Sequence, residues 1–217
     1  MFLDEIRTAV DSAKAHEEQT QHLANILAKQ LATIHRSIKL PSDTEVQSLV
    51  NFIVEYIQQV PAFLEAVYTG SERAGIIEYV GPFLQIAEDY FLNPPEGVDE
   101  NRGLDALMDE AYLAHRLLEE LNDRYILKAG IPMIPMNMTV ANLIIHNLIG
   151  EPFANKLDML VEDAAQKTIK QDALYHSQSF RDFVLSCGGT DWDHLWQHWP
   201  CLSSTMGINL DLTQEPS

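Results

Sequence analysis

The apolar residues of this chain recur at steps of three and four, and that property decides what the chain can fold into. Ile6, Val10, Ala13, Ala24, Leu27, Leu31, Ile34 and Ile38 fall on one line once Glu17 and Thr20 are counted between Ala13 and Ala24. Such spacing marks a helix with one buried seam, of the kind that packs in left-handed bundles. It predicts one long helix from about Phe2 to Ile38, ending before Pro41. It also raises a question, because a glutamate and a threonine on a buried seam need partners. Nowhere does the sequence alternate apolar and polar residues long enough for a convincing strand. The expected fold class is therefore all-α, an irregular antiparallel bundle of about seven to nine helices.

Punctuation along the chain supports this. Ser42 and Glu45 form a capping box that starts a second helix. The run LVNFIVEYIQQVPAFLEAVY is apolar nearly all round, which points to a central helix, interrupted by Pro61 and ended by Gly70 and Ser71. A short helix around Glu78 and another beginning at Pro82 follow. Residues 93–103, NPPEGVDENRG, read as an exposed loop. From Leu104 to about Lys128 an apolar face of Leu104, Leu107, Met108, Ala111, Ala114, Leu118, Leu121 and Tyr125 predicts a long helix, with Gly130 as its stop. TVANLIIHNLIG, EPFANKLDMLVEDAAQKTIK, QDALYHSQSFRDFVLSC and TDWDHLWQHW complete the helical set. Residues 1–202 read as a single helical-bundle domain, and 203–217 as a polar, frayed tail.

The stretch 129–150 carries no Lys, Arg, Asp or Glu and is long enough to span a bilayer. Its two prolines, three asparagines and one histidine would be costly in lipid, so it reads as a buried loop leading into a short core helix. The opening MFLDEIRTAV has early acidic residues and no apolar core of signal length, unlike a secretory signal. The two cysteines, Cys187 and Cys201, are too few for a disulfide framework and read as reduced thiols, which fits a cytoplasmic protein.

Charge narrows the partners. The chain has 32 acidic and 14 basic residues, a formal net charge of −18. Nucleic acid binding needs Lys and Arg to neutralise phosphates, and an anionic membrane needs the same, so both are disfavoured. A basic protein partner, a cation, or a second copy of the chain is compatible.

Two constellations could carry chemistry. Helical bundles build metal sites from inward-facing Glu and His. Glu17 on the seam, His115 and Glu119 four apart on one helix, and His146 among aliphatics, one turn after Asn142, form such a candidate set. Glu55 and Glu88 are further acids in apolar surroundings. Iron or manganese suits oxygen and nitrogen ligands of this type. However, no Glu-x-x-His pair occurs, and di-iron carboxylate bundles use two. The second constellation is residues 187–201. There Cys187, His194, His198 and Cys201 could hold zinc, while Trp192, Leu195, Trp196 and Trp199 make an aromatic helix face that packing alone would explain.

No nucleophile elbow, phosphate-binding loop, dinucleotide fingerprint or zinc-protease motif occurs. The expected function is a non-catalytic binding or regulatory module acting through protein–protein contacts, with an exposed apolar groove or patch. The alternative is a metal-dependent oxidase or oxygenase built on Glu17, His115, Glu119 and His146 with iron or manganese.

Overall fold

Helix α1 (Leu3–Thr20) stops where the heptad seam would have it continue. The structure, a computed structural model, describes residues 2–93, 103–168, 175–187 and 201–211. Gln21 adopts the left-handed conformation, φ 53°, and a separate helix α2 (His22–Gln30) starts at once. A single turn of 3₁₀ helix (Leu31–Thr33) and a two-residue strand β1 (Ile38–Lys39) follow. The expected long helix from Phe2 to Ile38 is thus broken. The break shifts the phase of the buried face, which reads Ile6, Val10, Ala13 and Glu17 on α1 but Leu23 and Leu27 on α2. Thr20 is exposed, its Oγ1 donating to the His16 carbonyl, so it never joins the seam.

Helix α3 (Glu45–Gln58) and helix α4 (Val60–Ala74) divide at Gln59, one residue before the helix that contains Pro61 begins. Proline lacks the N–H that would continue the ladder. The expected capping box is replaced by Thr44 as the flanking residue, with no side-chain cap bond. Gly70 and Ser71 do not end α4; it runs on to Ala74 and closes at Gly75, φ 68°. Gly70 lies inside the helix beside the Met133 side chain, which a Cβ there would touch at 3.4 Å, an ordinary contact. Helix α5 (Ile77–Leu92) is continuous through Pro82, because Tyr79, Val80, Phe83 and Leu84 bury themselves in the same core on both sides of it.

The central role falls to helix α6 (Leu104–Ala129). Residues Glu110 to His115 are buried without interruption, which requires neighbours on every side. Helices α5, helix α8 (Glu151–Thr168), α3, helix α7 (Thr139–Ile149), α1 and α4 all pack on it. Gly130, φ 73°, closes α6 as its sequence position predicted. The uncharged segment then folds back as a loop, with Ile134, Met136 and Met138 buried. Asn122 of α6 serves that loop, its Oδ1 accepting from the Met133 and Ile134 amides at 2.9 and 3.3 Å. Backbone donors in an apolar setting need such an acceptor. No helix among the described residues is long and apolar enough to cross a membrane.

Helix α9 (Gln178–Ser186) is capped by Ser177 and packs on α4. The segment after residue 202, expected to fray, is built in as far as Asp211. Helix α10 (Leu202–Thr205) precedes strand β2 (Asn209–Leu210), which pairs antiparallel with β1. Ile208 is wholly buried. Cys187 and Cys201 are unbridged. The tryptophan helix, with His194 and His198, lies outside the described residues, as does most of the 93–103 loop. The fold is an all-α bundle.

Candidate functional site

Two polar stripes face each other across the α6–α7 junction. On α6, Tyr112, Arg116, Glu119 and Asp123 follow one another at steps of four, three and four. On α7, Thr139, Asn142 and His146 do the same at three and four, with Leu143 beside them as an apolar neighbour. Both sets lie on one side of their helix. Together with Asp158 of α8 they line an open cleft of about 410 Å³. That volume is in the range of sites for small ligands or single side chains.

Arg116 is the hub. Its Nε donates to Asp158 Oδ1 at 3.0 Å and its Nη1 to Glu119 Oε2. Burial works against its charge, but the bonds to Asp158 and Glu119 outweigh burial and hold the guanidinium charged more firmly than usual. Glu119 accepts two more bonds, from Thr139 Oγ1 at 2.7 Å and Asn142 Nδ2 at 2.9 Å. Asp158 also accepts from the Tyr112 hydroxyl, which stands 3.1 and 3.2 Å from its two oxygens. Burial, and then the Asp158 charge, raise the Tyr112 phenol above its ordinary pKa, so it stays a donor. His146 approaches Asn155 at 3.3 Å and Asp158 at 3.8 Å. Asp123 stands at the rim. Burial raises its carboxyl above the usual range, and the neighbouring Glu119 and Glu120 charges add to this.

The residues singled out as metal ligands are dispersed. Glu119 and His146 share the cleft. His115 sits behind it, wholly buried between Tyr56 and Phe63, with ring centroids 4.3 and 5.6 Å away. Its Nε2 is 2.8 Å from the Tyr56 carbonyl, close to the α3–α4 break. A carbonyl only accepts, so Nε2 carries the hydrogen, and Nδ1 has no hydrogen-bond partner among the described residues. Burial lowers its pKa to about 4. Glu17 is elsewhere, at the α1–α2 junction. Its Oε2 accepts from Leu23 N at 2.8 Å and its Oε1 from Ala24 N at 3.0 Å. These are two of the orphan donors that open α2, so the carboxylate on the seam is a helix cap. Among the described residues, no three His, Cys, Asp or Glu side chains come together as a metal-binding group. Glu55 is exposed, and Glu88 accepts from the Phe2 amide.

Sequence reading missed Tyr112, Arg116 and Asp158. The signal for the first two was available in the stripe Tyr112, Arg116, Glu119 and Asp123, which runs beside the apolar face of α6. Asp158 had none, because α8 reaches the cleft only through the tertiary fold.

A second cleft, of about 390 Å³, lies between α5 and α8. It is mainly apolar, with Ile86, Tyr90, Leu113, Leu160 and Ala164 on its walls, and Leu160 is 47% exposed. No family model, curated protein or solved structure matches this chain.

Proposed function

We propose that this chain is a non-catalytic binding module, and that its cleft between α6, α7 and α8 takes a basic side chain of a protein partner. The observation that carries this reading is the charge count of the cleft. Glu119, Asp123 and Asp158 face a single guanidinium, Arg116, which two of them already hold. The surplus is negative, and Glu119 and Asp158 are held by their donors before any partner arrives. Preorganised acceptors lower the cost of binding, because few side chains have to be ordered at the moment of contact.

The same bonding argues against catalysis. Glu119 has three donors converging on it and Asp158 has two residues donating to it. A carboxylate so engaged is poorly placed to take a proton from a substrate. Leu143, 52% exposed on the rim, offers apolar contact beside the charged floor. The net charge of −18 adds long-range steering for a basic partner.

The test is a titration of the purified chain with short arginine-rich and lysine-rich peptides, followed by calorimetry at low and moderate salt. The expected result is saturable binding that weakens with salt and weakens further in Asp123→Asn and Asp158→Asn. Equal binding of an acidic control peptide, or no change in either variant, would overturn the reading.

A further inference from the structure

We propose that Tyr56, a core residue with no place on the cleft wall, is the positioning residue of the cleft: its hydroxyl orients the Asn142 amide, which holds the Glu119 carboxylate in place. This deepens the reading of the cleft as a binding site and rests on it.

Hydrogen-bond direction fixes the arrangement of these three side chains. Glu119 already accepts from Arg116 and Thr139, and an ionised carboxylate has nothing to donate. The Asn142 atom that meets it at 2.9 Å must therefore be the amide nitrogen. That choice turns the Asn142 oxygen the other way, towards the Tyr56 hydroxyl at 2.6 Å. The hydroxyl must then be the donor. Its chemistry agrees. Burial, then the Tyr112 and Glu119 charges, hold the phenol well above its ordinary pKa, so the proton is always present. An amide flip would set oxygen against the Glu119 carboxylate and lose that bond, so the contact with Glu119 fixes the Asn142 orientation.

The position of Tyr56 is itself fixed from behind. Its side chain is wholly buried, its ring lies against His115, and its carbonyl accepts from His115 Nε2. Asn142 is nearly as buried, at 4% exposure. The relay thus runs from the α3–α4 break through the core to the cleft floor, and solvent cannot stand in for the lost hydroxyl.

Tyr56→Phe tests this, since it keeps the ring and deletes only the donor. Two readouts are taken: affinity for a short arginine-rich peptide, and the side-chain amide resonances of Asn142, assigned by their disappearance in Asn142→Leu. The expected result is a loss of affinity of about three- to tenfold, together with shifted Asn142 amide resonances, in a protein that remains folded. Unchanged affinity and unchanged amide resonances in Tyr56→Phe, beside a wild type that binds, would overturn the role of Tyr56 alone. Failure of the wild type to bind any basic peptide would overturn the reading of the cleft instead. If Tyr56→Phe does not fold, Asn142→Leu breaks the relay one step later. It is expected to weaken peptide binding at least as much, and full affinity there ends the proposal.

Discussion

The Glu17 carboxylate caps the helix that begins at its own helix's end, meeting Leu23 N with one oxygen at 2.8 Å and Ala24 N with the other at 3.0 Å. One side chain thereby explains why α1 stops at Thr20 and why α2 begins immediately. The left-handed Gln21 turns the chain, and the carboxylate satisfies the donors that the turn exposes. A negative charge there also meets the positive end of the α2 dipole. Buried at 6% exposure, Glu17 is held entirely by backbone.

Removing that cap should be measurable. Glu17→Ala is expected to cost about 1–2 kcal/mol in urea unfolding, in the range for lost N-terminal caps. Glu17→Gln keeps one acceptor and should cost less, while Thr20→Ala, at an exposed site, should be nearly neutral. Equal effects of Glu17→Ala and Thr20→Ala would show that the cap contributes nothing.

Two titratable groups of α6, the buried His115 and the half-buried Asp109, pull stability in opposite directions with pH. His115 is lowered to about 4 by burial, so its contribution is present above its ordinary pKa of 6.5 and is lost as pH falls towards 4. Asp109 on α6 is raised from 3.8 to about 7, by burial first and the Asp105 charge second. Its contribution is present below pH 3.8 and is lost as pH rises through about 7. Between those limits the two slopes oppose each other. Asp109→Asn should gain stability over the wild type progressively from acid to neutral pH. His115→Gln, which keeps a donor but does not titrate, should show a smaller loss on acidification than the wild type. Urea midpoints measured across that range check both, and curves parallel to the wild type would remove the groups from the pH response.

The C-terminal segment is expected to behave as core. Ile208 is wholly buried, and the Asp211 amide donates to the Ser37 carbonyl at 2.8 Å just beyond the β1–β2 pair. Ile208→Ala should cost about 2–5 kcal/mol, as other large-to-small core changes do. Leu185→Ala, at a side chain 78% exposed, is the control and should be close to neutral. Comparable midpoints for the two variants would place the segment outside the cooperative unit.

Glu119 and His146 should not govern metal content. With Arg116, Thr139 and Asn142 donating to it, Glu119 would have to surrender bonds before ligating an ion. Elemental analysis of protein prepared without chelator should give the same iron and manganese in the wild type, Glu119→Gln and His146→Gln. Stoichiometric metal lost in either variant would restore these residues as ligands.

Much of the architecture was written locally. The stops at Gly130 and Gly150, the start of α6 at Leu104 and the all-α class follow from spacing and from backbone freedom at glycine. So does the break at Gln59, which Pro61 announces, whereas the break at Gln21 and the continuity of α4 through Gly70 do not. Gln is a good helix former, so its left-handed turn is set by what the tertiary core offers on either side of it. The site was half legible. Glu119 and His146 were found as polar residues in apolar helices, and Arg116 and Tyr112 sit on the same stripe as Glu119. Glu17 and His115 carried the same signal for a different reason. Each satisfies backbone groups at a helix break, and a break of that kind is invisible to periodicity.

Periodicity and charge along the chain were enough to make this protein helical and acidic, because both are sums over neighbours in the sequence. The tertiary structure decided which polar residues meet. Asp158 reaches Arg116 across 42 positions and Tyr56 reaches Asn142 across 86. Hydrogen bonds act over about 3 Å, and only packing brings residues so distant in sequence within that reach.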